Sequence, residues 1–172
     1  MARALFLDRD GVLDQLVYYQ SSDEWESPRT VRDVRMVPGA AEALRTAHAA
    51  GWLLVIITNQ PSFAKGKASR QELLDVHELI VRELGVPIAK SALCLHHPDA
   101  VVEELRVACE CRKPSAGSVL DAGRELNIDL SQSWMAGDQD SDLACGRAAG
   151  TTCSRPFAFV RGSKDDWGSA PT

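Results

Sequence analysis

The sequence predicts an α/β fold built on a parallel sheet. Two observations carry that expectation. Short apolar segments alternate with amphipathic ones along the chain, the strand–helix–strand pattern of parallel sheets. Three strand candidates also stop at polar residues suited to chemistry: Asp8 and Asp10, Thr58 and Asn59, and Asp138. Ligands of such sheets bind beyond the carboxyl ends of the strands, so these residues are expected to share one site.

The first strand is expected at residues 4–7, a short apolar run that stops at Asp8-Arg9-Asp10-Gly11. Residues 14–38 read as a long irregular loop, polar but holding Tyr18, Tyr19 and Trp25. A loop of that length without structure of its own is more often functional than idle. A helix is expected after Pro38-Gly39, with Ala40, Leu44 and Ala47 on one face and Gly51 closing it. Residues 52–57 are continuously apolar, as in a strand buried on both faces, and lead into Thr58-Asn59-Gln60-Pro61. Ser69 with Glu72 three positions on is a capping-box pattern. It opens a helix whose inner face is Leu73, Val76, Ile80 and Leu84 and which ends at Gly85. A strand follows at residues 92–95, then a helix from Pro114 to about residue 126. Residues 133–136 form a strand that stops at Gly137-Asp138, and a helix over 141–149 ends at Gly150. A last strand is expected at 157–160 and a frayed tail at 161–172, which leaves one domain over residues 1–160.

The 172 residues carry 19 basic and 24 acidic side chains, a net charge of −5, which argues against a protein that grips a nucleic-acid backbone. A small anion needs only a local group of cations. The longest apolar run, residues 52–57, is far short of the roughly twenty residues of a membrane span. No signal peptide is evident. The expectation is a cytoplasmic monomer with a small-molecule partner and no dealings with nucleic acid or membrane. Five cysteines, an odd number, speak against a disulfide framework.

Two carboxylates one residue apart at a strand end, Asp8 and Asp10, can bind a hard cation through oxygen. One can attack phosphorus while the other serves as acid and then base. Taken alone the motif is equally a solvated acidic turn. Asp138 is placed to complete a magnesium site, whereas Asp140 and Asp142 are read as complementing the amino terminus of the next helix. Thr58 and Asn59 alone would be turn residues. Arg112 and Lys113, two cations ahead of a helix, make a phosphate-binding corner.

In order along the chain, Asp8-x-Asp10-Gly11-Val12, Thr58, Lys113 and Gly137-Asp138-x-x-x-Asp142 resemble the four motifs of the haloacid-dehalogenase-like (HAD) phosphatase superfamily. The resemblance spans roughly residues 3–160. It implies a three-layer Rossmann-like fold, magnesium, and an aspartyl-phosphate intermediate. No stretch is long enough for a large cap domain.

Cys94, His96, Cys109 and Cys111 offer three thiolates and one imidazole, a complete tetrahedral set for structural zinc. His97 competes as the fourth ligand, and the family spacing favours His96. Zinc would staple the loop over residues 94–111 and position Arg112 and Lys113 directly after it. Cys145 and Cys153 read as small apolar residues, and His48 and His77 as structural or solvated. The stretches Cys94-Leu95-His96-His97-Pro98 and Cys109-Glu110-Cys111-Arg112-Lys113-Pro114, with Thr58-Asn59-Gln60 and Ala64-Lys65-Gly66-Lys67, look like the D-glycero-D-manno-heptose 1,7-bisphosphate 7-phosphatase branch. Histidinol-phosphate phosphatases are the sister branch. The 14–38 loop is longer than in the better-known heptose enzymes.

The resemblance implies these roles. Asp8, the Asp10 backbone carbonyl and Asp138 hold Mg²⁺. Asp8 is the nucleophile and Asp10 the general acid and base. Thr58 and Lys113 hold the transferring phosphoryl oxygens. Asn59, Arg112, Lys113 and Gln139 contact substrate. The rival readings are another small phosphomonoesterase, a 3′-phosphatase on nucleic-acid ends, and a non-catalytic zinc-stapled interaction module.

Overall fold

The computed structural model describes residues 1–155. Five parallel strands form the central sheet: β1 (Ala4–Leu7), β4 (Leu53–Asn59), β5 (Lys90–Cys94), β6 (Trp134–Ala136) and β7 (Thr152–Ser154). Their order is β5-β4-β1-β6-β7. The chain runs outward from β1 to β4 and β5, then crosses back to β6 and β7. The reversal falls at β1, so the switch-point crevice opens at the carboxyl end of β1. Strand register aligns the neighbouring ends, with Leu7 opposite Ile56 and Ala136.

Alternation along β4 builds two cores. Leu54 and Ile56 face α1 (Ala40–Ala49) and α2 (Arg70–Leu84), packing with Leu44, Val76, Ile80 and Leu84. Val55 and Ile57 face the other way, with Phe6 and Met135, toward α3 (Gly117–Glu125) and α4 (Asp140–Ala149). A strand buried on both faces needs its apolar run unbroken, which is why residues 53–57 carry no polar side chain. The architecture is therefore three-layered, helices on both sides of a parallel sheet.

The helix limits follow from their caps. Ser69 accepts from the Glu72 amide at 3.1 Å and Glu72 answers the Ser69 amide at 2.7 Å. Gly85 closes α2 in the left-handed region. Helix α3 starts at Gly117, three residues later than the sequence predicts. Residues 112–116 form a turn instead, with the Ser115 amide on the Arg112 carbonyl at 2.9 Å and a cis Lys113–Pro114 peptide. The Gly117 amide bonds the Glu110 carbonyl at 3.0 Å, an approach so close that a Cβ at Gly117 would stand 2.4 Å from that oxygen.

Two further differences concern strands. The 14–38 segment is not irregular throughout: β2 (Val17–Tyr19) and β3 (Glu24–Glu26) pair as an antiparallel hairpin, followed by a 3-10 turn at Val31–Asp33. Three-residue strands are too short to show a period of two. Their order comes from side chains: Tyr19 donates to Asp33 at 2.9 Å, and Arg29 stacks 3.9 Å over the Tyr19 ring. Strand β7 is likewise a three-residue segment that the sequence does not announce. The strand expected at 157–160 and the tail at 161–172 lie outside the described residues. No helix among the described residues is long and apolar enough to cross a membrane.

His77, on α2, lies in the field of the buried Arg9 that follows β1. Burial first, and Arg9 second, push its imidazole down from 6.5 to about 4. The unfolded chain therefore takes up this proton before the folded one, and stability falls as pH drops from about 6.5 to 4. In His77→Leu that part of the acid sensitivity is expected to vanish. Urea titrations of both proteins at pH 7 and pH 4.5 check it, and an equal loss in both would show that His77 titrates normally.

Candidate active site

Asp8 is the first residue after β1 and Asp138 follows β6 by one glycine, so adjacent parallel strands deliver both carboxylates to one edge. Asp142 comes from the first turn of α4. Carboxylate oxygens of Asp8, Asp138 and Asp142 lie within 4.8 Å of one another, all three buried. Lys113 enters between them. Its Nζ is 2.6 Å from Asp8 Oδ1 and 2.6 Å from Asp142 Oδ1, and it donates to the Ile57 carbonyl at 3.0 Å. Burial alone would lower the lysine, but Asp8 and Asp142 outweigh it and hold the ammonium above its ordinary value. Asp8 is raised to about 7 chiefly by burial, against the opposing pull of Lys113 and with Asp142 and Asp10 adding to the rise.

Asp142 does more than the sequence expects. It does complement its helix, accepting from the Gln139 amide at 2.9 Å through Oδ2. Its other oxygen holds Lys113, so one side chain serves both purposes. A Cβ at Gly137 would stand 2.1 Å from Asp142 Cβ, so the glycine lets the carboxylate reach the site.

Asn59 lines the cleft and also holds Lys113. Its Nδ2 donates to the Lys113 carbonyl and its Oδ1 accepts from the Lys113 amide, both at 3.1 Å. The side chain imitates a strand partner and clamps the Lys113 backbone to the end of β4. Thr58 is buried, with its hydroxyl accepting from Gln60 Nε2 at 2.9 Å and donating to Asp10 Oδ2 at 3.4 Å. Asp10 lines the cleft, and its carboxylate is held by Arg9 and Gln60. Arg9 and Gln60 carry no sequence signal beyond their adjacency to the motifs.

The cleft above these groups measures about 490 Å³. Arg112, Lys65, Lys67 and Gln139 bring polar and cationic groups to it, and the hairpin adds Glu24, Trp25 and Glu26. Lys67 pairs with Glu26 and, at 3.6 Å, with Glu24, tying the hairpin to the segment after β4. Arg112 spends one donor on the His96 carbonyl at 3.1 Å.

The residues present fit a hard divalent cation. Asp138 Oδ1 is buried without a hydrogen-bond partner, and the acidic side chains that converge there offer oxygen, the donor a hard cation takes. Among carboxylates such a cation favours the ionised forms, reversing the bias that raises Asp8. A second donor set is thiol-rich. Cys94, Cys109 and Cys111 have Sγ–Sγ separations of 3.1, 3.3 and 3.7 Å, and His96 Nδ1 is 3.3 Å from Cys111 Sγ. These edges approach the roughly 3.8 Å of a tetrahedron with 2.3 Å metal–sulfur bonds. His97 is turned elsewhere, its Nδ1 accepting from the Asp99 amide at 3.0 Å.

An aspartate pair on the central strand, a lysine crossing to it and a carboxylate from the next strand define a HAD-like hydrolase. A family model for HAD-hydrolase-like proteins matches residues 110–155. The D-glycero-beta-D-manno-heptose-1,7-bisphosphate 7-phosphatase of Rhodopseudomonas palustris is 37% identical over 150 residues, 86% of this chain and 79% of the relative. A D-glycero-alpha-D-manno-heptose-1,7-bisphosphate 7-phosphatase of Photorhabdus laumondii is 34% identical over 151 residues, 86% and 78% of the two chains. The crystal structure of D,D-heptose 1,7-bisphosphate phosphatase from B. bronchiseptica, complexed with magnesium and phosphate, matches with a TM-score of 0.73 at 28% identity, covering 88% of this chain and 78% of that one. The chain belongs to the HAD-like phosphatase family that contains the heptose-1,7-bisphosphate 7-phosphatases.

Gly11 has a φ of +87°, and a Cβ there would stand 2.7 Å from Asp138 Oδ2. Gly11→Ala is therefore expected to displace Asp138. Mg²⁺ should raise the melting temperature of the wild type and leave that of the variant unchanged. An equal Mg²⁺ shift in both would place the cation away from Asp138.

Proposed function

We propose that the protein is a Mg²⁺-dependent phosphomonoesterase that removes the C7 phosphate of D-glycero-D-manno-heptose 1,7-bisphosphate, in the making of nucleotide-activated heptose. The observation that carries the chemistry is Asp8, buried at the centre of the sheet edge with Lys113 against one carboxylate oxygen at 2.6 Å. The names of the relatives support the substrate, and both anomers occur among them.

Asp8 attacks the phosphorus, forming an aspartyl phosphate as the bond to the sugar oxygen breaks. Asp10 gives its proton to that leaving oxygen. It then takes a proton from the water that attacks phosphorus and frees Asp8. Lys113 and the Thr58 hydroxyl hold the transferring oxygens, where stabilising charge is the main contribution of the protein. Asp8, the Asp10 backbone carbonyl and Asp138 would hold magnesium, which when bound neutralises the phosphoryl charge. Arg112, with Gln139, contacts the substrate, and its free donors suit the second phosphate. Asn59 is read as a further substrate contact that also holds the Lys113 backbone.

Cys94, His96, Cys109 and Cys111 are read as a closed structural zinc site. With Arg112 bonded to the His96 carbonyl and Gly117 to Glu110, zinc there would set the height of the two cations over the cleft. The protein is further read as a cytoplasmic monomer that binds neither nucleic acid nor membrane.

Purified protein with Mg²⁺ should release one phosphate from heptose 1,7-bisphosphate and strongly prefer it to histidinol phosphate. Preference for histidinol phosphate would place the chain in the sister activity, and turnover of neither would remove the reading. Asp8→Asn should be inactive, and Asp10→Asn should lose at least about a hundredfold. Cys109→Ser should lose bound zinc by elemental analysis and melt at lower temperature; full zinc content would dismiss the cluster.

A further inference from the structure

Arg9 sits between the two aspartates of the motif, yet its side chain turns away from the cleft and has no exposed surface. A guanidinium stays charged at any pH the fold survives, and burying it unpaired costs several kcal/mol. Two buried carboxylates lie beside it, and they are not equivalent. Arg9 Nη2 and Nε both donate to Asp10 Oδ1, at 2.9 and 3.3 Å. Asp14 Oδ1 lies 3.8 Å from Nε, and neither Asp14 oxygen has a hydrogen-bond partner. Asp10 is the acid that Arg9 grips, whereas burial and the neighbouring Asp10 hold the Asp14 acid well above the usual carboxylate range.

The other Asp10 oxygen is gripped from a different element. Gln60, buried at the end of β4, donates through Nε2 to Asp10 Oδ2 and to Thr58 Oγ1. The two oxygens are therefore fixed by donors from two sides, Arg9 beneath β1 and Gln60 beyond β4. Neither Arg9 nor Gln60 lines the cleft, so neither touches a substrate there.

We infer that Arg9 and Gln60 are positioning residues that fix the Asp10 carboxyl group for proton transfer. The inference rests on the reading of Asp10 as acid and base given above. A proton-transfer group acts only in a narrow range of position, and a carboxyl held at both oxygens cannot swing out of it.

The test exploits the leaving group. The constant kcat/KM covers the steps up to departure of the alcohol. A sugar alkoxide needs the proton of Asp10 in that step, whereas 2,4-dinitrophenolate leaves without one. The variants are Gln60→Met and the double replacement Arg9→Met with Asp14→Leu, which removes the ion pair without stranding a charge. Gln60→Met disturbs no ion pair and keeps the test decisive should the double variant not fold. Each is compared with wild type and Asp10→Asn on heptose 1,7-bisphosphate, or histidinol phosphate if that is the ester the wild type hydrolyses, and on 2,4-dinitrophenyl phosphate.

The expected result is a loss of at least about tenfold on the sugar ester with less than about threefold on the aryl ester, the same selectivity as Asp10→Asn. Equal losses on both esters, or no loss on the sugar ester, would overturn the positioning role. If Asp10→Asn itself shows no selectivity, or the wild type hydrolyses neither ester, the reading of the active site fails first and takes this inference with it.

Discussion

Lys113 lies buried between Asp8 and Asp142, 2.6 Å from each, and the order of the site depends on that placement. Three carboxylates crowd this edge of the sheet, and a fourth, Asp10, stands beside them. Without a cation among them the carboxylates would repel one another and splay apart. Lys113 reaches Asp8 only because its backbone is delivered to the end of β4. Asn59 bonds both its amide and its carbonyl, and Nζ completes its donors on the Ile57 carbonyl. The central strands supply the acids, and a loop anchored to those strands supplies the base that makes their proximity tolerable.

The same loop links the thiol cluster to the cleft. Cys111 and Lys113 are separated by Arg112 alone, and Arg112 itself bonds the His96 carbonyl. Gly117 packs against the Glu110 carbonyl so tightly that no side chain would fit. A change in the cluster therefore shifts both cations and the start of α3 together. This accounts for a costly four-residue donor set in a chain whose core is otherwise adequate: the loop over 94–111 carries two short-range duties and little apolar surface.

The cleft wall opposite Arg112 comes from the β2–β3 hairpin. Two three-residue strands do not stand alone in water. Here they are held by the Tyr19–Asp33 hydrogen bond, the Arg29–Tyr19 stack and the Lys67–Glu26 ion pair, all outside the main core. Such contacts permit the hairpin to vary without disturbing the sheet.

Periodicity and strand ends determined the fold class, the order of the main elements and the placement of Asp8, Asp10 and Asp138 at one edge, because these depend on residues close in sequence or on the register of parallel strands. Motif order and cysteine spacing determined the family and the thiol set. Tertiary structure alone decided what Asn59, Gln60, Arg9 and Asp142 do. Asn59 lines the cleft, but its pairing with Lys113 spans 54 residues and exists only when β4 and the turn meet. Asp142 meets Lys113 only once α4 packs beside the sheet, and local sequence shows no more than a capped helix. The hairpin, tied down by side chains, and β7, paired through its backbone with β6, stayed hidden because three-residue strands record no local period.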